Sequence, residues 1–214
     1  MMRGVWVGRL VVTGAAVLLV VLIGVTTRYV PLGTEVASGN GTGQGLDPKA
    51  WAQANYASGV VPAIEQKAQP WPGLIAAITA DAQAAGQKYG VLPQGANSYS
   101  YAVTITGTLA QGEFGELAIA ADGTPADVTV GFQVGPAVTG SALRDASGLL
   151  TFDMFTNQTD FQQAGVQIND LVKSQVLAGF DPPSAVGGKY TIVGAFTWTG
   201  TGHVTITPIS VKAA

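Results

Sequence analysis

The sequence predicts an α+β fold: an N-terminal transmembrane helix, a small helical segment and then a five-stranded β-barrel. Three observations support this prediction. They are an uncharged apolar run near the N-terminus, helical stretches bounded by Pro and Gly in the first half, and alternating apolar and polar residues in the second half. The 214 residues include no cysteine, so we expect an apolar core, and not disulfides, to stabilise the folded domain.

The uncharged apolar run begins at Leu10 and ends at Thr27. As a helix, its 18 residues span about 27 Å, close to the thickness of a hydrocarbon core. Two arginines precede the run, and Arg28 is the last basic residue before Lys49, which places the N-terminus in the cytoplasm. We therefore expect residues 1–29 to form a cytoplasmic tip and a signal anchor, with a single pass through the cell membrane and an extracytoplasmic C-terminal domain. A cleaved signal peptide is the alternative, disfavoured by the length of the run and by a poor cleavage site.

A flexible linker and a helical subdomain follow the predicted anchor. Residues 30–46 are rich in Gly, Ser and Thr, a composition typical of tethers. The helical subdomain is predicted over residues 47–92, where Asp47 suits the N-cap and Pro48 the first helical position. The four helices expected there cover residues 48–57, 62–68, 72–80 and 82–89.

Alternation of apolar and polar side chains predicts the strands of a barrel domain over residues 97–214. In the first strand Tyr101, Val103 and Ile105 alternate with small or polar residues, the period of a half-buried strand. The five expected strands cover residues 99–106, 117–119, 128–134, 190–197 and 203–211. Between the third and fourth strands, apolar residues at three- and four-residue steps predict a helix over residues 159–178.

Five strands with a helix between the third and fourth is the order of an OB-fold, a small and partly open barrel. Closure into a barrel is favoured because short strands need their edges paired or covered. An immunoglobulin-like sandwich is the alternative, but it would need about seven strands and no long helix.

Net charge argues against a polyanionic partner. Three of the ten Lys and Arg residues precede residue 30, so the rest of the chain carries seven against thirteen Asp and Glu residues, a net charge of −6. Nucleic-acid binding depends on clustered basic residues that displace counterions. We therefore expect no nucleic-acid partner.

No catalytic constellation is recognisable in the sequence. The single histidine is His203, there is no Gly-x-Ser-x-Gly nucleophile motif, and the glycine-rich stretch lacks the ending of a phosphate-binding loop. We predict that the protein is not an enzyme and has no cofactor or metal. Hard oxygen ligands for calcium exist, but their spacing matches no known loop. They are Asp145, Asp153, Asn157 and Asp160.

Residues 131–163 are the least ordinary segment, because they are too many for a simple connection between a strand and a helix. A polar ligand such as a sugar would be bound there by hydrogen bonds and by stacking on aromatic rings. The candidate ligand-binding residues are Arg144, Asp145, Asn157, Gln158, Phe152 and Phe155. The more ordinary interpretation needs no ligand: an ion pair fixes the loop, Asn157 or Thr159 caps the following helix, and both phenylalanines lie in the core.

Several short blocks resemble the DUF2291 family, described as predicted bacterial periplasmic lipoproteins of unknown function. The blocks are Arg28-Tyr-Val-Pro-Leu, Asp47-Pro-Lys-Ala-Trp, Lys88-Tyr-Gly90, Gly135-Pro through Ala142-Leu-Arg-Asp145, and Phe155-Thr-Asn-Gln158. The resemblance would cover nearly everything after residue 27. It implies an accessory role in sugar uptake, since members are often encoded near carbohydrate-type ABC importers. This chain departs from the family because it has no cysteine to carry a lipid.

We therefore expect a membrane-anchored extracytoplasmic binding protein that serves a carbohydrate-type ABC import system. Its partners would be a saccharide or the components of the importer. The alternative is a structural protein-interaction module without a small-molecule ligand, whose helical segment docks a partner through Trp51, Tyr56 and Trp71.

Overall fold

The computed structural model describes residues 45–200 and 202–214, all within a unit that spans Gly39–Ala214. The helices are α1 (Pro48–Asn55), α2 (Val61–Lys67), α3 (Trp71–Ala80), α4 (Ala82–Tyr89), α5 (Ala142–Ser147), α6 (Gln158–Val172) and α7 (Pro182–Ala185). The strands are β1 (Gln69–Pro70), β2 (Gly90–Val91), β3 (Ser100–Gln111), β4 (Glu116–Ala120), β5 (Thr129–Gln133), β6 (Lys189–Thr197) and β7 (His203–Ala213). Turns of π-helix at Tyr56–Val60 and Lys173–Leu177 extend α1 and α6.

The five long strands close into a barrel in the order β3-β4-β5-β7-β6. Closure comes from antiparallel pairing of β6 with β3, which runs from Ser100 opposite Thr197 to Thr108 opposite Lys189. Strands β5 and β7 run parallel, and the other neighbours in the barrel are antiparallel. This order is that of an OB-fold, so the barrel predicted from the sequence is confirmed.

The inside of the barrel forms a first apolar core. Because successive side chains of a strand point to opposite faces, Tyr101, Val103 and Ile105 of β3 all point inward and are buried. Trp71 of α3 joins them, with its ring 6.2 Å from that of Phe196 in an edge-on contact. Helices α3 and α4 therefore belong to the same core as the barrel strands.

A second apolar core lies outside the barrel, between its wall and the remaining helices. The outward residues of β3 and β6 are small here, and Ala102 and Ala195 are buried. Helices α1, α2, α5 and α6 cover them with apolar side chains such as Ile64, Leu143 and Ile168. The predicted helical subdomain is thus divided between two cores, while its boundary as a domain stays a prediction.

The predicted fold class needs one correction, which concerns the transmembrane helix between Leu10 and Thr27. That segment lies outside the described residues, as does nearly all of the predicted linker, residues 30–46. Within residues 45–200 and 202–214 no helix is both long and apolar enough to cross a membrane. The 15 residues of α6 reach about 23 Å, short of a hydrocarbon core of about 30 Å. Over the described residues, the fold that the structure supports is a closed five-stranded barrel with helices.

The long predicted helix, residues 159–178, corresponds to α6 and its π-helical extension. Asn157 caps it, since its Oδ1 accepts a hydrogen bond from the backbone N–H of Asp160 at 2.9 Å. The prediction of one helix between the third and fourth barrel strands is incomplete, because α5 and α7 also lie there. Both are too short to show a helical period in sequence.

Candidate functional site

The barrel wall carries an outward polar surface beyond the second core, which we call the polar face. It consists of outward side chains on β4, β5 and β7: Glu116, Thr129, Gln133, His203, Thr205 and Thr207. The helices of the second core pack on β3, β6 and the far part of β7, whereas two cavities open over the polar face.

A hydrogen-bonded row runs across the polar face from β4 to β7. Thr205 Oγ1 donates to Glu116 Oε1 at 2.8 Å, and His203 Nε2 lies 3.0 Å from Glu116 Oε2. On the other side of the imidazole, Nδ1 lies 2.8 Å from Thr129 Oγ1. Strand register explains the last contact, because Thr129 and His203 are direct partners in the parallel pair of β5 and β7. Both nitrogens of His203 and both oxygens of Glu116 are therefore held in place.

Gly131 is the residue that lets Glu116 reach across the sheet. Strand β5 lies between β4 and β7, and Gly131 pairs with Ala118 on one side and Thr205 on the other. A Cβ at Gly131 would stand 2.6 Å from Glu116 Oε2. The carboxylate thus occupies the space that a side chain on β5 would fill.

Phe114 lies in the tight loop between β3 and β4 and lines both cavities that open over this row. Its side chain is 99% exposed and its backbone has a φ of 53°, which is costly for a bulky residue without a compensating role. Gly112 and Gly115 shape the loop, since a Cβ at either would stand within 2.8 Å of a carbonyl oxygen, of Glu116 and Gly135 respectively. An exposed aromatic ring in a fixed backbone is suited to contact a ligand or a partner.

The two cavities meet at Phe114, Glu116, His203 and Thr205. Cavity A measures about 500 Å³ and extends to residues 137–142 and to the loop between β6 and β7. Cavity B measures about 480 Å³ and lies along β4 and the loop before it, where Glu113 contributes to its lining. Volumes of this size are typical of small-molecule sites.

The far wall of cavity A is tied to the barrel by Gln133, which is buried at the end of β5. Its Nε2 donates to the carbonyl oxygen of Thr139 at 3.1 Å, and its Oε1 accepts from the backbone N–H of Thr139 at 2.6 Å. Asn169 of α6 donates from Nδ2 to the carbonyl oxygen of Gly140 at 2.8 Å. The wall is therefore held by both cores.

Arg144 and Asp145, the charged residues predicted to bind a ligand, form a buried ion pair beneath this wall. Arg144 Nη2 lies 2.7 Å from Asp145 Oδ1, with both side chains less than a tenth exposed. Arg144 also donates to the carbonyl oxygen of Phe161 and stacks 3.8 Å above its ring. Asp145 Oδ2 accepts from Ser141 Oγ at 2.7 Å, and Ser141 lines cavity A.

The aromatic residues predicted to bind a ligand gather around the same phenylalanine. Phe155 is buried with its ring 5.7 Å from that of Phe161, and the half-exposed Phe152 contacts it edge-on at 6.0 Å. Asn157 is occupied as the cap of α6, and Gln158 is exposed in its first turn. Neither cavity A nor cavity B is lined by any of these four residues, and their predicted ligand role stays a prediction.

Helix α5, which carries the ion pair, is fixed at its C-terminal end by Lys67. The ammonium donates to the carbonyl oxygens of Ala146 and Ser147 at 3.3 and 2.6 Å. Burial lowers the pKa of Lys67. Within the described part of the chain, no three His, Cys, Asp or Glu side chains group as metal ligands.

The polar face was missed in the sequence because its residues come from three strands that are distant along the chain. A signal did exist, since Thr129, Gly131 and Gln133 alternate with apolar residues, as do His203, Thr205 and Thr207. Alternation predicts that such residues point out of the barrel, and it does not predict what they contact. Which outward halves meet on one face depends on the parallel pairing of β5 with β7, which no local pattern encodes.

Comparisons with known proteins bear on family and fold. The family model described as "Predicted periplasmic lipoprotein (DUF2291)" matches residues 15–212. No curated protein matches the sequence. Among solved structures, an OB-fold protein from Thermotoga maritima aligns with a TM-score of 0.65 at 15% identity, covering 80% of this chain and 100% of the other. That likeness supports the OB-fold.

Proposed function

This chain belongs to the DUF2291 family of predicted periplasmic lipoproteins, and on that premise we propose that it is an extracytoplasmic binding protein whose ligand occupies the polar face. One observation carries this proposal. The Glu116 carboxylate is held over Gly131 by Thr205 and His203, and it lines the same two cavities as the exposed Phe114. Polar groups that are fixed before a ligand arrives bind it at a lower entropic cost.

A saccharide is the ligand class that we propose. The cavities offer the hydroxyls of Thr139, Thr197 and Thr199, a carboxylate and one exposed aromatic ring. Such groups suit a molecule with many hydroxyls and an apolar ring face. OB-folds use the same side of the barrel, with the loops after the first and fourth strands, for oligosaccharides and oligonucleotides. Here the acidic charge disfavours the nucleic acid.

We extend the proposal to an accessory role in a carbohydrate-type ABC import system, in which the protein binds and does not transform its ligand. The family setting and the sugar-compatible chemistry of the polar face support this role. The Thr129–His203–Glu116 row has the residue types of a hydrolytic triad. However, the hydroxyl contacts Nδ1 and the carboxylate Nε2, which reverses the usual roles of the two nitrogens.

The alternative of a docking module in the helical segment is weakened. Trp71 is 1% exposed and Tyr56 is 2% exposed. Trp71 also donates from Nε1 to Thr124 Oγ1 at 2.8 Å. Two of the three predicted anchors are thus committed to the protein's own core.

Thermal melting of the full-length protein with a panel of mono- and oligosaccharides tests the proposal. A sugar that binds the folded state raises the melting temperature by mass action. We expect Glu116→Gln and Phe114→Asn to remove this shift while the unliganded protein still melts cooperatively. Asn tolerates the left-handed backbone at position 114 better than Phe, so the second variant retains the loop.

Thr106→Ala is the matched control, because Thr106 is an exposed outward residue of β3 that hydrogen-bonds Thr191 away from the polar face. It should leave the shift intact. Asn157→Ala distinguishes the two candidate sites, since loss of the shift only in that variant would assign the ligand to the predicted site around Asn157. If no saccharide changes the melting temperature of the parent protein, the proposed ligand class is wrong.

A further inference from the structure

We infer that the polar face selects a positively charged ligand, so that within the proposed saccharide class it prefers an amino sugar to the neutral sugar and to the uronic acid. The inference rests on the proposed function and concerns only the charge of the ligand. Three features of cavity B support it: the charges of its lining, the aromatic ring at its rim and the fixed carboxylate at its floor.

The charged side chains that line cavity B are of one sign. Glu113 and Glu116 both face it, and among the described residues that line cavities A and B none is Lys or Arg. An anionic ligand would therefore meet two carboxylates and one ionisable nitrogen, that of His203, which already contacts Glu116. A cation would be attracted at short range by these groups and at longer range by the net charge of −6 on the chain after residue 29.

Phe114 supplies a second feature that favours a cation. The face of an aromatic ring is electron-rich and attracts ammonium groups within about 6 Å. Phe114 is 99% exposed, so its ring is accessible to a ligand. In the sequence it lies between Glu113 and Glu116, the two acidic residues that line cavity B. A neutral sugar would gain from ring stacking alone, whereas a protonated amine gains from the ring and from both carboxylates.

The Glu116 carboxylate is fixed but retains capacity to accept hydrogen bonds. Each oxygen accepts one contact from the protein, from Thr205 and His203, and a carboxylate accepts about four hydrogen bonds in all. The side chain is 14% exposed, so an ammonium group can approach it from cavity B without breaking these contacts.

Another cavity on the barrel provides a contrast within the same molecule. It measures about 380 Å³, lies against the outward threonines of β3, and includes one acidic and one basic residue, Asp122 and Lys189. Its charges can balance each other, so it provides no reason to prefer either sign. Of these two regions, the excess of negative charge belongs to the polar face.

The test is a titration of the isotope-labelled full-length protein, followed by NMR chemical shifts, with glucosamine, glucose, N-acetylglucosamine and glucuronate. These sugars share one ring and differ in charge. We expect glucosamine to bind roughly tenfold more tightly than glucose or N-acetylglucosamine, and glucuronate to bind more weakly than either. Raising the ionic strength should reduce the preference, because exposed charges are screened.

Glu113→Gln should reduce the preference for glucosamine over glucose, because one of the two carboxylates that line cavity B is removed. Glu65→Gln changes the chain's net charge by the same amount at an exposed position of α2, outside the lining of cavities A and B, and should leave the preference intact. Equal affinities for glucosamine and glucose would overturn the inference while leaving the proposed function standing. If none of the four sugars binds but a non-sugar amine such as choline does, the saccharide class is wrong and the charge inference stands.

Discussion

Two outer faces of one barrel follow the same alternation of side chains but differ in what lies over them. On β3 and β6 the outward residues Ala102 and Ala195 are buried beneath helices. On β4 and β7 the outward residues Glu116 and His203 stay 14% and 51% exposed. Alternation shows which residues point out of a barrel, and the size and polarity of those residues show whether a helix packs on them.

The two faces also differ in what their contacts contribute. On the covered face, apolar side chains leave water, and each buried methylene contributes about 0.8 kcal/mol to stability. On the polar face, hydrogen bonds between partly exposed groups contribute little net stability, because water competes for them. We therefore expect mutations on the first face to act on folding and mutations on the second to act on binding.

The largest effect is expected for Arg144→Ala, beneath the covered face. Removing the guanidinium leaves Asp145 as a buried and unpaired charge, which costs about 3–5 kcal/mol of unfolding free energy. Urea denaturation measures the loss. The double replacement Arg144→Met with Asp145→Leu should recover much of it, since neither charge then remains buried. A loss below about 1 kcal/mol in Arg144→Ala would show that the ion pair does not stabilise this region.

The next prediction places the same substitution on both faces. Ala195→Leu adds three carbons beneath the helices and should cost about 1–3 kcal/mol through overpacking. Ala118→Leu on β4 lines cavity B and should change the unfolding free energy by less than about 0.5 kcal/mol. Denaturant midpoints of the two variants provide the comparison, and equal losses would contradict the difference between the faces.

Gly131→Ala should affect the polar face while leaving the fold nearly intact. The new methyl group would meet Glu116 Oε2 at 2.6 Å, and a flexible side-chain end can move away. Nearby, the carbonyl oxygen of Leu117 would stand 3.0 Å from the methyl, so we expect a stability loss of about 1 kcal/mol or less.

The readout for Gly131→Ala is the NMR signal of the His203 imidazole, which should shift when the carboxylate leaves it. Gly73→Ala is the control, because a Cβ there meets nothing within 4 Å, and Ala favours a helix over Gly by about 0.5–1 kcal/mol. Unchanged imidazole signals in Gly131→Ala would mean that Glu116 does not depend on the glycine.

The sequence was sufficient for the barrel because each strand carries its own signal. Tyr101, Val103 and Ile105 fix the inward face of β3 locally, and the OB-like order follows from the number of strands and one helix. The polar face needs information of another kind, since Glu116, Gly131 and His203 meet only through strand pairing. Gly131 matters because it has no side chain and so leaves room for the Glu116 carboxylate. No local residue pattern marks a glycine with this role.

The predicted ligand residues show a second limit of sequence analysis, which is that residue type does not determine role. The sequence predicts a ligand role for Arg144, Asp145 and Asn157 because charged and amide groups in an irregular segment are typical of binding sites. Their contacts in the structure are an ion pair and a helix cap, roles for which the same residue types are equally suited. Composition alone does not separate these roles, because burial decides between them.

The smallest effect is expected inside the cores, at two tyrosine hydroxyls that have no hydrogen-bond partner among the described residues, Tyr56 and Tyr101. Removing an unpartnered hydroxyl forfeits no hydrogen bond, so Tyr56→Phe and Tyr101→Phe should leave the unfolding free energy at pH 7 within about 0.5 kcal/mol of the parent. Such neutrality would agree with the absence of a hydrogen-bond partner for either hydroxyl among the described residues.

The dependence of the unfolding free energy on pH tests the burial of these two tyrosines. Burial raises the pKa of both Tyr56 and Tyr101 from 10.0 to about 12. The unfolded chain therefore releases these protons first, and the stability that they contribute is complete below pH 10 and is lost as the pH rises towards 12. The double variant Tyr56→Phe with Tyr101→Phe should show a shallower decline over this range in urea denaturation. An identical decline in parent and variant would mean that both hydroxyls reach solvent. The two apolar cores would then admit more water than the burial of these tyrosines indicates.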